Sequence, residues 1–401
     1  MLLIELHIIH SFPPTCLNRD DLGSPKSATF GGIERARVSS QSWKRPIRLD
    51  AADAMPEFFQ GKRTRYIISP LIDQLKKAGI PESVATIAVK SFAEALATED
   101  QKTGKNGGAP RVKTAVFFSP AEMDTIAVTL SDAVKADTKC WETLLKDEEA
   151  LLKEQDEKKY AKARKTHQQK LGRAGERLLA IVPKPLRDKH KDRADVGFFG
   201  RFIASDESLI IEGASMFGHA ISTHKASPEI DFFAAVDDLQ PIGESGAAIT
   251  GHLEYNSAVY YRYTAVNVDL LRENLPGFSN EELLAVLDTF IRSSVISVPV
   301  ARKNSYNGHT IPSYVLGIVR RGHPINLANA FEKPISAKNG SGIIEPSIKA
   351  LKAHHKKQKW ILGIENGVDG VKEIAIPEVN LKTFCQTLLN ALFPTQNQER
   401  K

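Results

Sequence analysis

Strand-type sequence opens this chain, disappears between about residue 61 and residue 195, and then returns. Residues 2–9 alternate, with Leu2, Ile4, Leu6 and Ile8 on one face and Glu5 and His7 on the other. That is the period of a strand. Over 70–98 and 119–135 the apolar spacing is helical, and 142–181 is long, charged and sparse in apolar side chains. The latter pattern suits an exposed helix, a helical hairpin or partial disorder. Pro183 and Pro185 end it, and the Gly-rich run 101–112 is a break. Strand-like sequence resumes at 196–212. The chain is therefore expected to be α+β, with a helical insertion interrupting a sheet-bearing core.

Outside the insertion, 11–37 reads as a long loop, with Pro13-Pro14, Gly23, Pro25 and Gly31-Gly32. Loops of this length are usually functional or disordered. A helix is expected from near Ser42 to about Ala54, with serines capping its start and Pro46 tolerated in its first turn. Two apolar arms, Ile230–Leu239 and Ile249–Tyr255, flank a tip with Pro241, Gly243, Gly246 and Gly251. They predict a protruding, irregular hairpin over 227–257. A strand over 258–268 presents Val259, Tyr261, Tyr263 and Ala265 on one face. A helix over 279–296 opens on Ser279 with Glu282 three residues on, the capping-box spacing. A last strand falls near 311–320. Without its insertions the chain reads strand–helix–strand–strand–helix–strand, the order of a ferredoxin-like, RRM-type core. There is no internal repeat.

The composition, 42% hydrophobic and 25% charged over 401 residues, excludes a wholly disordered chain, a collagen and a coiled-coil rod. No apolar run approaches the ~20 residues of a membrane span. Met1–Ile9 lacks the basic start and unbroken apolar stretch of a secretory signal, and a cytoplasmic location is expected. Cys16, Cys140 and Cys385 are odd in number and far apart, which argues against a disulfide framework and a four-thiolate zinc site.

The net charge is +6, and its distribution is informative. Residues 146–193 hold 15 basic and 9 acidic side chains. Their mixed signs read as solvated surface. Residues 19–48 hold seven basic residues (Arg19, Lys26, Arg35, Arg37, Lys44, Arg45, Arg48) against Asp20, Asp21 and Glu34. Arg19, Lys26, Arg37, Ser39, Ser40, Gln41, Lys44, Arg45 and Arg48 are phosphate-binding types gathered around a helix start. Such a start presents free N–H groups and partial positive charge to an anion. Lys44 and Arg48, four apart, share a helix face. A solvated basic helix is the plain alternative; a polyanion backbone is the preferred partner.

Aromatic side chains beside a basic groove hold single strands without sequence readout. Phe232 and Phe233 lie on the protruding hairpin. Phe202 follows Arg201 in Gly-Phe-Phe-Gly-Arg-Phe (197–202), where Phe198 and Phe199 read as core. Catalytic readings are thinner. Asp20, Asp21 and Glu34 have oxygen ligands suited to Mg²⁺, or are turn residues and partners of the local arginines. His7 and His10 point to opposite strand faces. His219 and His224 have no identifiable nucleophile nearby, His354-His355 sit among lysines, and no pair has zinc-site spacing. Gly31-Gly32 is neither a dinucleotide nor a P-loop signature, and no RNP1-like aromatic run marks the strands.

One family unites these motifs. The run Cys16-Leu17-Asn18-Arg19-Asp20-Asp21, then Lys26, Phe30-Gly31-Gly32, Arg35, Arg37, Ser39-Ser40-Gln41-Ser42 and Lys44-Arg45 resembles the backbone subunit of the type I-E CRISPR Cascade complex. That is the CasC type of Cas family seven, a RAMP-like family. Gly200-Arg201, His219-Ala220-Ile221, Thr223-His224, Ile230-Asp231, Phe233, Ala235–Leu239, Tyr261-Arg262-Tyr263, Asn329–Lys333 and Pro346-Ser347-Ile348 extend the likeness in order along most of the chain. The resemblance implies an RRM-like palm (1–60, 215–226 and 258–401), a helical fingers insertion (61–214) and a thumb hairpin (227–257). It implies that copies stack along the crRNA spacer, each thumb kinking the guide of a neighbour and leaving bases free to pair with target DNA. Its partners would be crRNA, target DNA, copies of itself and the repeat-handle-binding, large and small Cascade subunits, with no membrane and no cofactor.

By that resemblance Arg19, Lys26, Ser39, Gln41, Lys44, Arg45 and Arg48 hold the RNA backbone. Phe202 lies against the kinked strand, and Phe232 and Phe233 form the thumb's stacking pair. The subunit would bind and not cut. Three departures stand out: Pro46 within the first helix, a longer charged stretch over 135–193, and Ala234 in place of a polar thumb residue. The rival is a metal-dependent RNase of the type III RAMP kind using Asp20 or Asp21. A generic RNA-binding protein is the third reading.

Overall fold

The computed structural model describes residues 1–100, 109–186, 189–235, 237–238, 249–301, 303–337, 340, 342–364 and 372–392. The chain is α+β and divides into two compact units. One comprises Met1–Met55, Ala214–Leu271 and Asn280–Lys401; the other comprises Pro56–Gly213 and Arg272–Ser279.

The first unit is built on a sheet of β1 (Leu2–Thr15), β2 (Ser27–Phe30), β3 (Ile33–Val38), β4 (Ser215–Phe217), β5 (Ala220–Ser222), β6 (Glu229–Ala235), β7 (Ile249–Asn267), β8 (Tyr314–Arg321) and β9 (Lys372–Ile376). The order is β9-β8-β1-β7-β5-β3-β2, with β4 and β6 also pairing to β7, and every pair is antiparallel. Its longer helices are α1 (Ser40–Ala54), α2 (Asn280–Ile296), α3 (Ile344–Leu362) and α4 (Leu381–Leu392).

Alternation on β1 feeds two layers. Ile9, Tyr261, Tyr263, Leu316 and Ile318 pack with Leu351 of α3 and with Leu327 and Phe331 from the segment before it. Glu5 and His7 belong to this face and are buried with it. Glu5 accepts from the Tyr263 hydroxyl at 2.7 Å, the Ile325 amide at 2.7 Å and Arg320 Nε at 2.5 Å, so its charge is fully hydrogen-bonded. On the opposite face Gly317, the partner of Leu6, has no side chain where Phe384 and Leu388 of α4 press in.

The region 11–37 is not one long loop. β1 continues to Thr15, because beyond Ile9 it pairs with β7 alone. Pro13-Pro14 fall in the register shift between Phe12 and Thr15, where the proline nitrogens have no ladder bond to supply. Gly31 and Gly32, both with positive φ, turn β2 into β3. The first helix also starts earlier than expected, at Ser40, so Pro46 is interior. An interior proline costs roughly 3 kcal/mol. The seam of Trp43, Ile47 and Ala51, all buried at i, i+4 and i+8, offsets it.

The second unit is helical, with Ile68–Lys77, Glu82–Ala97, Pro120–Ala136, Thr138–Lys153 and Glu157–Ile181 around one apolar cluster. The charged stretch 142–181 is thus the body of two successive helices. Gly175 lets Glu157–Ile181 approach Glu82–Ala97 so closely that a Cβ would lie 2.1 Å from the Ser91 carbonyl oxygen. The expected strand over 196–212 is absent. Ala194–Phe199 is a short helix, a 3₁₀ turn covers Glu207–Leu209, and one bridge joins Arg201 to Ile211. The apolar residues Phe198, Ile203 and Leu209 are buried without a ladder. Among the described residues no helix is long and apolar enough to cross a membrane.

Candidate nucleic-acid interface

The site begins with an arginine that is not part of it. Arg35 on β3 is fully buried and spends its guanidinium on carbonyl oxygens. Nε donates to Phe30 at 3.2 Å, Nη1 to Ser222 at 3.0 Å, and Nη2 to Phe331 at 2.8 Å and Glu332 at 3.3 Å. Burial lowers its pKa. A Cβ on Gly31 would stand 1.8 Å from the Glu332 carbonyl oxygen. Phe30-Gly31-Gly32, Arg35 and Asn329–Lys333 are therefore one lock that clamps the β2–β3 hairpin to the segment after β8. The same holds for Thr223-His224 and Pro346-Ser347-Ile348: Ser347 Oγ donates to Thr223 Oγ1 at 2.8 Å, and Ile335 pairs with His224.

That lock fixes a row of cations. Ser27 pairs with Ala36, which brings Lys26 beside Arg37, and the Arg37 amide donates to the Lys26 carbonyl at 2.8 Å. Arg37 pairs with Ile221 on β5, two residues beyond His219. Arg37 Nη1 lies 2.9 Å from His219 Nδ1, and Arg37 Nε donates to the Ser27 carbonyl at 3.3 Å. Ahead of β2, Arg19 bridges Pro25 and is exposed. Its turn is closed by Asp20, whose Oδ1 accepts from the Leu22 and Ser24 amides at 2.9 Å each. Asp20 thus serves as a turn residue, while Asp21 is exposed.

The row runs into α1. The Ser39 amide donates to Asn18 Oδ1 at 2.9 Å, and Ser42 Oγ reaches the Leu17 carbonyl at 3.4 Å. Ser39 stands at the N-cap without a side-chain cap bond, contrary to the capping role expected of the serines. The turn itself holds the helix start, so the hydroxyls are not needed for it. A shallow cavity of about 560 Å³ lies here, lined by Asn18, Arg19, Asp20 and Ser42 among others. Opposite the buried seam, Gln41 and Arg45 are exposed one turn apart. Lys44 and Arg48 flank the seam, half-buried, and Lys44 Nζ stands 5.3 Å over the Phe217 ring. Arg19, Lys26, Arg37 and Arg45 make no ion pair among the described residues. A basic, hydrogen-bond-donating strip at a helix start can hold successive phosphates.

The aromatic residues divide. Phe232 and Phe233 are 70% and 40% exposed on β6, far above any core value. Phe233 lies across Gly251 of β7, where a Cβ would meet its ring. Ile230 and Ile249 add to this apolar ribbon. Val236 and most of the hairpin tip, including Leu239, Pro241, Gly243 and Gly246, lie outside the described residues. Phe202 belongs to the second unit and is 71% exposed. Its neighbour Arg201 is internal and bonds Glu122 Oε1 at 2.9 Å; Arg193 bonds the same oxygen at 3.1 Å. Phe198 is core, stacked on Phe59, whereas Phe199 is only half-buried. Phe217 joins the strip without any local sequence signal, and His219, part of the His219-Ala220-Ile221 motif, is brought to Arg37 by the pairing of β3 with β5.

The model of the CT1975-like protein family matches residues 4–384. The chain belongs to that family. No curated protein matches it. Among solved structures, a chain of a "CRISPR RNA-guided surveillance complex, pre-nicking" superposes with a TM-score of 0.75 at 23% identity, over 98% of this chain and 100% of that one. A chain of a "CRISPR RNA-guided surveillance complex" gives a TM-score of 0.62 at 22% identity, over 94% and 93%. This CT1975-like chain thus shares its fold with subunits of those complexes.

Proposed function

We propose that this CT1975-like protein is a non-catalytic, crRNA-binding scaffold subunit of a CRISPR surveillance complex, of the type I-E CasC kind. Copies of it stack along the spacer and present the guide to target DNA, beside the repeat-handle-binding, large and small subunits, in the cytoplasm. In this reading 1–60, 215–226 and 258–401 are the palm, 61–214 the fingers and 227–257 the thumb. What supports this reading is the central strand order β8-β1-β7-β5, with α1 and α2 in the connections, which is the order expected of a ferredoxin-like palm.

The observation that carries the proposal is the strip of Arg19, Lys26, Arg37 and Arg45 around Ser39, Ser40 and Gln41, without an ion-pair partner among the described residues. Lys44 and Arg48 extend it, while Phe232, Phe233 and Phe202 supply exposed rings for stacking. Asp20, bound to two backbone amides, serves a turn, which favours binding over metal-assisted cleavage.

The test is to purify the protein from a host carrying its CRISPR array and to sequence the accompanying RNA. Uniform guides with shared repeat-derived ends, bound by several copies, are expected. RNA of random length and origin would reduce the protein to a generic RNA binder. Mg²⁺-dependent cutting of the RNA, abolished by Asp21→Ala, would establish the nuclease rival.

A further inference from the structure

His219 has an unusual place in the cation row. Arg37 donates to its Nδ1 at 2.9 Å. A guanidinium can only donate, so Nδ1 carries the lone pair and the neutral ring keeps its proton on Nε2. Nε2 has no hydrogen-bond partner among the described residues, and His219 is exposed. With Nη1 on the ring and Nε on Ser27, Arg37 keeps Nη2 for another acceptor. Lys26, beside Arg37 in the register, adds an ammonium group. The charges that act on the ring are Arg37 from β3 and Lys26 from the residue leading into β2, both positive. An imidazole N–H, a guanidinium nitrogen and an ammonium thus form one patch of donors.

We infer that His219 is a further phosphate contact of the RNA backbone and that it takes up a proton when the RNA binds. This inference rests on the RNA-binding reading and adds to it a residue and a pH dependence. In the free protein, partial burial and the cations Arg37 and Lys26 favour the neutral ring and lower its pKa. A phosphate laid across the patch reverses the sign of the local field. The ring then gains a proton on Nδ1, Arg37 Nη1 leaves it, and both groups turn to phosphate oxygens. Linkage requires that a group whose pKa rises on binding strengthens binding as pH falls.

The experiment measures the affinity of the full-length protein, freed of co-purified RNA, for a synthetic single-stranded RNA of mixed sequence. It compares wild type, His219→Gln and His219→Ala between about pH 5.5 and pH 8. Glutamine keeps an acceptor for Arg37 and an N–H donor but cannot titrate. At the alkaline end wild type and His219→Gln should bind alike, with His219→Ala weaker. Toward the acid end wild type should gain up to about tenfold per pH unit over His219→Gln. Parallel pH curves for wild type and His219→Gln, with both binding RNA, would overturn proton uptake at His219. Equal affinity of His219→Ala and wild type at every pH would overturn the contact. No RNA binding by wild type at any pH would instead remove the RNA-binding reading itself. The histidines shared by all three proteins cancel in the comparison, and a thermal melt confirms that the variants fold.

Discussion

At the residue scale, one side-chain type does two jobs. Alternation along β3 puts Arg35 and Arg37 on the same face. Phe331 and Glu332 cover Arg35 and bond it, while Arg37 reaches His219 at the surface. Arg262 is also internal. It stacks 3.7 Å over Trp43, donates to the Ser294 carbonyl at 2.7 Å and to His10 at 2.9 Å, and burial lowers its pKa to about 9. Arg35→Leu should therefore destabilise the protein by about 2 kcal/mol or more, because several buried carbonyls lose their donor. Urea unfolding would measure this. Lys44→Ala tests the interface instead. It should reduce the salt slope of RNA binding by roughly 0.7, the value of one single-strand phosphate contact. An unchanged slope would place Lys44 outside the interface. The sequence shows which segment is basic; it does not separate these roles, because all but one of the carbonyls that claim Arg35 lie nearly two or three hundred residues away.

At the element scale, the regular pieces were legible where their periodicity was long. The helices of the charged stretch, the strand over 258–268 and the helix over 279–296 all form where the spacing places them. The differences over 11–54 share a cause: proline and glycine alone do not say whether an element ends, starts or continues through them. Pro13-Pro14 sit where β1 has lost one neighbour, Pro46 sits in a helix held by its apolar seam, and Gly31-Gly32 make a tight hairpin turn. In each case tertiary pairing decides whether the missing donor or side chain matters. Over 196–212 the apolar residues Phe198, Ile203 and Leu209 are buried as their spacing suggests, but burial alone does not specify a ladder. Glycine can equally mark close packing. Gly175→Ala would push a methyl group into the Ser91 carbonyl, and the two helices would have to separate. The expected cost is about 1–3 kcal/mol, the usual range for overpacking. Gly172→Ala, on the same helix with open space around it, should be neutral or stabilising. Thermal melts of the two variants make the comparison.

At the scale of the molecule, the central strands of the first unit are packed on both faces, and three of its histidines, His7, His10 and His224, are structural. His224 accepts the Val259 amide at 3.1 Å on Nε2, so Nδ1 carries the proton and meets the Lys225 carbonyl at 2.8 Å. His10 accepts from Arg262 on Nδ1 and donates from Nε2 to the Thr310 carbonyl at 2.9 Å. His7 is fully buried against Tyr261. Desolvation is the leading reason that all three pKa values lie below the ordinary 6.5, with His7 pushed down to about 3. The fold therefore holds neutral rings that the unfolded chain protonates. Stability from these groups is present above pH 6.5 and declines as pH falls below it, continuing for His7 to about pH 3. Each ring contributes a slope of up to about 1.4 kcal/mol per pH unit. Carboxylates titrate mainly below about pH 4.5, so the interval from about pH 6.5 to pH 5 isolates the histidines. The urea midpoint should be level above pH 7 and fall through that interval. A midpoint unchanged down to pH 5 would mean that the rings are protonated in the fold, with the hydrogen bonds to His10 and His224 rearranged. Because His219 should strengthen RNA binding over the same interval, mild acid should weaken the free protein while tightening its grip on RNA. Bound RNA should then protect the fold increasingly as pH falls, an effect that His219→Gln should remove.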